Sequence, residues 1–173
     1  MSEMIASLQN QTKCPHSVVI LGFDEVLLMD VAGPAQVFAS TNKVLGWKAY
    51  DITIASKDGG DVTTDTGLSL CAEVSFATVS SADILVVPGG PGVDQCLDDP
   101  SLHHFLIGVE PDVERFVSIC SGSLLTASAG LLESRKSTTH WERADLAHQL
   151  FPSVDWHLDE YSHMTASSIV RRA

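Results

Sequence analysis

Cys120 stands in Ser118-Ile119-Cys120-Ser121-Gly122, directly after the apolar run Phe116-Val117 and directly before a stretch of small residues that reads as a helix. A strand-to-helix turn of this kind presents its central residue in a strained conformation that tolerates only small residues two positions away on either side, a demand that Ser118 and Gly122 meet. The N–H groups and the positive dipole end of the following helix would face the thiol and favour the thiolate, which is the nucleophile. The competing reading is a buried cysteine acting as a small hydrophobe.

Three further groups follow strand-like runs. Val87-Pro88-Gly89-Gly90 closes one such run, and consecutive glycines at Gly89 and Gly90 would let backbone N–H groups approach a reacting oxygen, as an oxyanion hole requires. Read alone, the same residues make a plain turn. Asp30 lies in the apolar segment Leu27-Leu28-Met29-Asp30-Val31-Ala32, where a carboxylate needs a task or a partner; capping of the next helix is the alternative. His140, in Ser137-Thr138-Thr139-His140-Trp141, is a candidate general base or orienting group, set against a purely structural histidine. His103, His104, His148, His157 and His163 show no ligand spacing with cysteines or acids, so no metal and no cofactor are assigned. Cys14, Cys71 and Cys96 lack an elbow and are read as bystanders.

The elements that position these residues alternate. Strands are predicted over 17–23, 50–55, 83–87, 115–119, 137–139 and 153–157, with helices over 35–45, 95–109, 122–132 and 142–150. Gly33-Pro34 opens the first helix, Gly46 stops it, and Val37, Phe38, Val44 and Leu45 share a face. Residues 59–71 read as a short hairpin excursion at the sheet edge. Continuous β-branched runs separated by helices imply right-handed crossovers and an α/β fold with a doubly wound, mostly parallel sheet covered on both faces, a three-layer sandwich.

Composition bounds the rest. A chain of 173 residues with 45% apolar content suits one domain, and no apolar run approaches the length needed to cross a bilayer. Residues 1–16 are polar and lack the apolar centre of a secretory signal, so they read as an unstructured lead-in to a domain over 17–173. Four cysteines without C-x-x-C pairing fit a reducing, cytoplasmic setting. The net charge of −12, with only ten basic residues, opposes nucleic-acid contact by this chain, since phosphate binding requires clustered Lys and Arg.

Taken in order, "LLMDVAGPAQVF", "VVPGGPGV", "SICSGSLLTASAGLL" and "STTHW" give the chain a form that resembles the ThiJ/PfpI superfamily, of the class I glutamine amidotransferase-like, flavodoxin-like fold, over about residues 17–158. Within it the chain looks most like the N-terminal domain of AraC-type transcriptional regulators, with isonitrile hydratase second. The resemblance implies Cys120 as nucleophile or sensor thiol, Asp30 as the acid beside it, and Gly89 and Gly90 as oxyanion donors. Ser121 would add a hydroxyl and an N–H, with His140 near the pocket. It implies a small-molecule ligand for a regulatory domain, or a cysteine-dependent hydratase as the alternative. Family members continue into a closing helix, which "YSHMTASSIVRRA" does not supply; an apolar stripe left uncovered this way would favour a homodimer or leave the chain only marginally stable. No helix-turn-helix pair is visible, so DNA binding is not assigned to these residues.

Overall fold

The computed structural model describes residues 14–157. The expected lead-in up to residue 13 and the expected missing closing helix lie outside the described residues. The first strand, β1, spans His16–Leu21 and so begins one residue before the expected boundary. Val18, Ile20 and Leu21 are fully buried, as a β-branched run in the middle of a parallel sheet must be. Helix α1 (Leu28–Leu45) leads to β2 (Tyr50–Ser56), then to the short antiparallel pair β3 (Val62–Thr63) and β4 (Ser69–Leu70), and to β5 (Val74–Ser75). After β6 (Ala82–Val87) come α2 (Val93–Cys96), α3 (Pro100–Val109), β7 (Val113–Ser118) and α4 (Gly122–Ser128). The described chain ends with β8 (Lys136–Ser137), α5 (Ala144–Leu150) and β9 (Asp155–Trp156).

Among the described residues, five strands form one sheet in the order β5-β2-β1-β6-β7, and every pairing in it is parallel. The chain runs outward from β1 through β2 on one side and resumes at β6 on the other, so the order reverses between β1 and β6. Ligand sites of open α/β sheets gather outside the carboxyl ends of strands at such a reversal. The loops leaving those ends are tied together here. Leu27 N–H donates to Gly89 O at 2.9 Å and Gly92 N–H to Glu25 O at 3.2 Å. Ile119 N–H, after β7, donates to Val87 O at 2.9 Å, bringing the third loop alongside. Under the loops, Ile20, Leu85, Leu124 and Leu125 are fully buried, each stabilising the fold by roughly 1.5–3 kcal/mol relative to exposure.

Several elements depart from the sequence expectation. α1 begins at Leu28, seven residues before the expected start at Ala35, and Gly33-Pro34 lie inside it. The residue before the helix, Leu27, offers no side-chain cap; instead Asp65 Oδ1, from the hairpin between β3 and β4, accepts the Leu28 N–H at 2.9 Å. Gly46 closes the helix in a left-handed conformation (φ 70°), as expected. The apolar face anticipated for this helix is not buried: Phe38 packs on Tyr50 with ring centroids 4.8 Å apart, whereas Val37, Val44 and Leu45 face solvent. The single helix expected over 95–109 is two. Asp99 caps the second by accepting the Ser101 N–H at 2.8 Å, with Pro100 at its first position. The helix after the elbow ends at Ser128, four residues short of the expected Leu132. β8 and β9 pair with each other, in parallel, rather than joining the five-stranded sheet. Among the described residues no helix is long and apolar enough to cross a membrane.

Since the first turn of α1 carries Asp30 and is capped only from a distant hairpin, Asp65→Ala is expected to lower stability by about 1 kcal/mol, the usual cost of a lost cap. Urea unfolding of both proteins measures this, and an unchanged midpoint would mean that the Asp65 contact holds nothing.

Candidate functional site

At the end of β7 the backbone turns through Cys120 with φ at +54°, a left-handed conformation that costs a non-glycine residue on the order of 1–3 kcal/mol. The surroundings hold it there. Gly122 N–H donates to Ile119 O at 2.8 Å, and Cys120 O accepts from Ser123 Oγ at 3.1 Å and Thr139 Oγ1 at 3.4 Å. A Cβ on Gly122 would lie 2.2 Å from Val87 O and 2.5 Å from Pro88 O, so no side chain fits. Two positions before the cysteine, Ser118 Oγ meets Thr126 Oγ1 at 2.8 Å. The small residues expected on either side of the elbow are therefore both in tight contact.

The glycine loop after β6 lies against this turn. A Cβ on Gly89 would sit 2.7 Å from Ser121 Oγ and 3.0 Å from Cys120 Cβ. Gly89 N–H donates to Asp30 Oδ2 at 3.0 Å, and Gly90 N–H donates to Ser121 Oγ at 3.1 Å. Both N–H groups expected to face a reacting oxygen are thus engaged in internal bonds. Asp30 does not cap its helix either: it lies in the first turn of α1, its own N–H on Leu27 O at 3.0 Å, with its carboxylate turned to the glycine loop.

The electrostatics follow from this enclosure. Burial pushes the Asp30 carboxyl up; the Gly89 N–H opposes this, Asp65 adds to it, and His140 opposes it more weakly. Burial likewise pushes the Cys120 thiol up. The Ser121 N–H works against that rise, the Asp30 charge reinforces it, and the Ser121 hydroxyl and Arg143 oppose it. Burial thus opposes the thiolate that the helix N-terminus is expected to favour. α4 has seven residues, and desolvation of the sulfur outweighs what its first N–H groups contribute. Ser121 connects the parts, since its hydroxyl accepts from Gly90 N–H and donates to the thiol.

His140 opens the 3₁₀ turn Trp141–Arg143, and its Nδ1 accepts the Glu142 N–H at 3.3 Å. It reaches the pocket through its field at Asp30. Arg143, which the sequence reading did not single out, donates from Nη1 to both carboxylate oxygens of Asp94 at 3.0 Å. That pair links the turn after His140 to α2, just beyond the glycine loop, and the arginine's place three residues after His140 was the available signal. Cys14 and Cys71 are exposed. Cys96 is half-buried, its thiol pushed up to about 11 by burial first and Asp99 second.

The sequence matches the DJ-1/PfpI family over residues 16–155. It is 34% identical over 142 residues to a Streptomyces lividans protein described as uncharacterized in the cpoL 5′ region, covering 82% of this chain and 99% of that one. It is 34% identical over 124 residues to isonitrile hydratase of Pseudomonas putida, 72% of this chain and 52% of the relative. To the HTH-type transcriptional regulator GlxA of Rhizobium meliloti it is 31% identical over 129 residues, 74% of this chain and 40% of the regulator. This chain therefore spans about half the length of the hydratase and two fifths of the regulator. A solved ThiJ/PfpI family protein from Pseudomonas syringae superposes with a TM-score of 0.71 at 28% identity, covering 85% of this chain and 60% of that one. An AraC family transcriptional regulator from Pseudomonas putida does so with a TM-score of 0.65 at 25% identity, covering 83% and 76%.

The opposing influences on the thiol can be separated by substitution. A carboxyl raised by burial still ionises well before a thiol, so in the thiol's own titration range Asp30 is an anion beside it. Asp30→Asn removes that charge and is expected to lower the pH at which Cys120 reacts; Ser121→Ala removes a donor to the sulfur and is expected to raise it. Iodoacetamide labelling of Cys120, followed across pH by mass spectrometry, reads both. A rise in Asp30→Asn would mean that Asp30 gives a proton to the sulfur rather than repelling its charge.

Proposed function

Because this chain belongs to the DJ-1/PfpI family, we propose that it is a small-molecule-sensing domain of the kind carried by AraC-type transcriptional regulators, with Cys120 and Asp30 as the groups that meet the ligand. The observation that carries this reading is the state of the elbow. Burial pushes both titratable groups toward their protonated forms, and the neighbouring glycine N–H groups are already bonded within the protein. Such a pocket is arranged to hydrogen-bond a guest, or to add to it reversibly, rather than to stabilise a developing oxyanion. Likeness to GlxA and to the solved regulator domain supports the regulatory reading. In it, Ser121 tunes the thiol, His140 and Arg143 shape the field around it, and these residues contact no nucleic acid themselves, given the charge of −12. The reading places the protein in the cytoplasm. It also takes the domain as a homodimer, which the solvent-facing Met29, Val37 and Val44 of α1 support.

The second reading is a cysteine-dependent hydratase, favoured by likeness to isonitrile hydratase and by the raised Asp30 carboxyl. There the Cys120 sulfur would bond to the terminal carbon of an isonitrile while the Asp30 proton passes to that carbon and the thiol's own proton passes to the Asp30 carboxylate, giving a thioimidate. Water would add to the same carbon, the carbon–sulfur bond would break and the thiol would be restored, leaving an N-substituted formamide.

Cyclohexyl isonitrile separates the two readings. The sensing domain is expected to form no formamide above a buffer control, while thermal-shift screening of small polar metabolites finds a ligand that stabilises the wild type and not Cys120→Ser. Multiple-turnover formamide production that disappears in Cys120→Ser would establish the hydratase and remove the sensing reading.

A further inference from the structure

On the opposite edge of the sheet from the elbow, three adjacent strands begin, and their first residues carry a set of metal-ligand types. His16 lies on β1, Asp83 on β6 and Glu114 on β7, and one donor atom from each falls within 4.8 Å of the other two. The pairing places them there. β1 and β6 run in the register Val18↔Ile84, so Ser17 lies beside Asp83. β6 and β7 run in the registers Ala82↔Val113 and Ile84↔Arg115, so Asp83 lies beside Glu114. Two carboxylates side by side on neighbouring strands repel each other, and a cation between them turns that cost into binding energy.

The central carboxylate is already held in place. Asp83 Oδ2 accepts from Ser17 N–H at 2.6 Å and from Ser17 Oγ at 3.0 Å, and Asp83 N–H in turn donates to Ser17 Oγ at 2.9 Å. His16 Nδ1 stands 3.8 Å from the same Oδ2. A ligand fixed by outer hydrogen bonds in this way is a common property of metal sites. Around a tetrahedral zinc ion with bonds of about 2.0–2.2 Å, donor atoms lie roughly 3.4 Å apart. The present separations, all within 4.8 Å, therefore need to close by up to about 1.4 Å at the widest contact, and the exposed side chains of His16 and Glu114 can close it by rotation.

We propose that His16, Asp83 and Glu114 form a divalent-cation site, with zinc as its best-matched occupant and water completing the coordination. One imidazole nitrogen with two carboxylate oxygens suits a borderline cation such as zinc, whereas metals that select thiolates find none here. β6 has six residues, which puts on the order of 16 Å between this edge and the elbow, so the ion takes no part in chemistry at Cys120. Its effect is to clip the beginnings of three parallel strands together. His16 escaped notice in the sequence because it fell within the expected lead-in, far along the chain from Asp83 and Glu114.

The test uses the purified chain stripped with a chelator, titrated with zinc against a chromophoric indicator and melted with and without the metal. One equivalent is expected to bind and raise the melting temperature. His16→Ala and Glu114→Gln each weaken that equivalent by ~10-fold or more, and the positioning variant Ser17→Ala by ~10–100-fold. Cobalt in place of zinc is expected to give a spectrum without the intense sulfur-to-cobalt band. Both ligand variants change exposed side chains, and their metal-free melts, expected to match the wild type, separate loss of metal from loss of fold. Failure of the wild type to bind zinc, an equivalent retained at full affinity in both variants, or a thiolate band in the cobalt spectrum would each overturn the site.

Discussion

Two strands can end side by side and hand their loops to each other only where the backbones touch, and at β6 and β7 they touch without any side chain between them. Val87 O and Pro88 O lie where a Cβ of Gly122 would be, and Ser121 lies where a Cβ of Gly89 would be. That close approach holds Cys120 in its left-handed conformation and brings the Gly90 N–H within reach of Ser121 Oγ. It also leaves the Gly89 N–H facing the first turn of α1, where Asp30 receives it. Remove the contact and the cysteine relaxes into an ordinary strand end, with no fixed relation to the carboxylate. The reversal of strand order between β1 and β6 supplies the crevice; the glycine contact gives it a shape.

Such packing has an electrostatic consequence. A sulfur and a carboxyl group enclosed at the mouth of the crevice lose hydration, and each is pushed toward its neutral form. The available N–H groups are shared between them: Gly89 serves Asp30, while Ser121, itself anchored by Gly90, serves the thiol. Arg143 contributes a weaker positive field while its Nη1 is occupied by Asp94. Both groups are thereby shifted in the direction of their protonated forms, which supports the proposed reading of recognition over turnover.

Much of this could be read in the chain because its signals are local. A β-branched run before a small-residue turn identifies the elbow at Cys120, and Pro88-Gly89-Gly90 after a second buried run identifies its neighbour. The family and the mostly parallel sheet follow from the order of these motifs, and the fold agrees. What escaped depends on partners remote in sequence. The start of α1 rests on Asp65, 37 residues away, so no local cap announced it. The engagement of the glycine N–H groups depends on Asp30 and Ser121, 59 and 31 residues away. The rise of the thiol comes first from burial, which the sequence around Cys120 does not display. Asp99-Pro100, a local cap that splits the long helix, was legible and passed over because the apolar periodicity continues across it.

The neutral state of Cys120 is the centre of the account, and its own titration tests it most directly. The ultraviolet absorbance of the thiolate, taken as the wild type minus Cys120→Ser, follows that one sulfur across pH in the folded protein. The difference signal is expected to be absent at neutral pH and to rise with a midpoint above that of an ordinary solvent-exposed thiol. A midpoint below neutrality would contradict the account, showing that the helix N-terminus and the Ser121 donors outweigh burial and that the elbow holds a standing nucleophile.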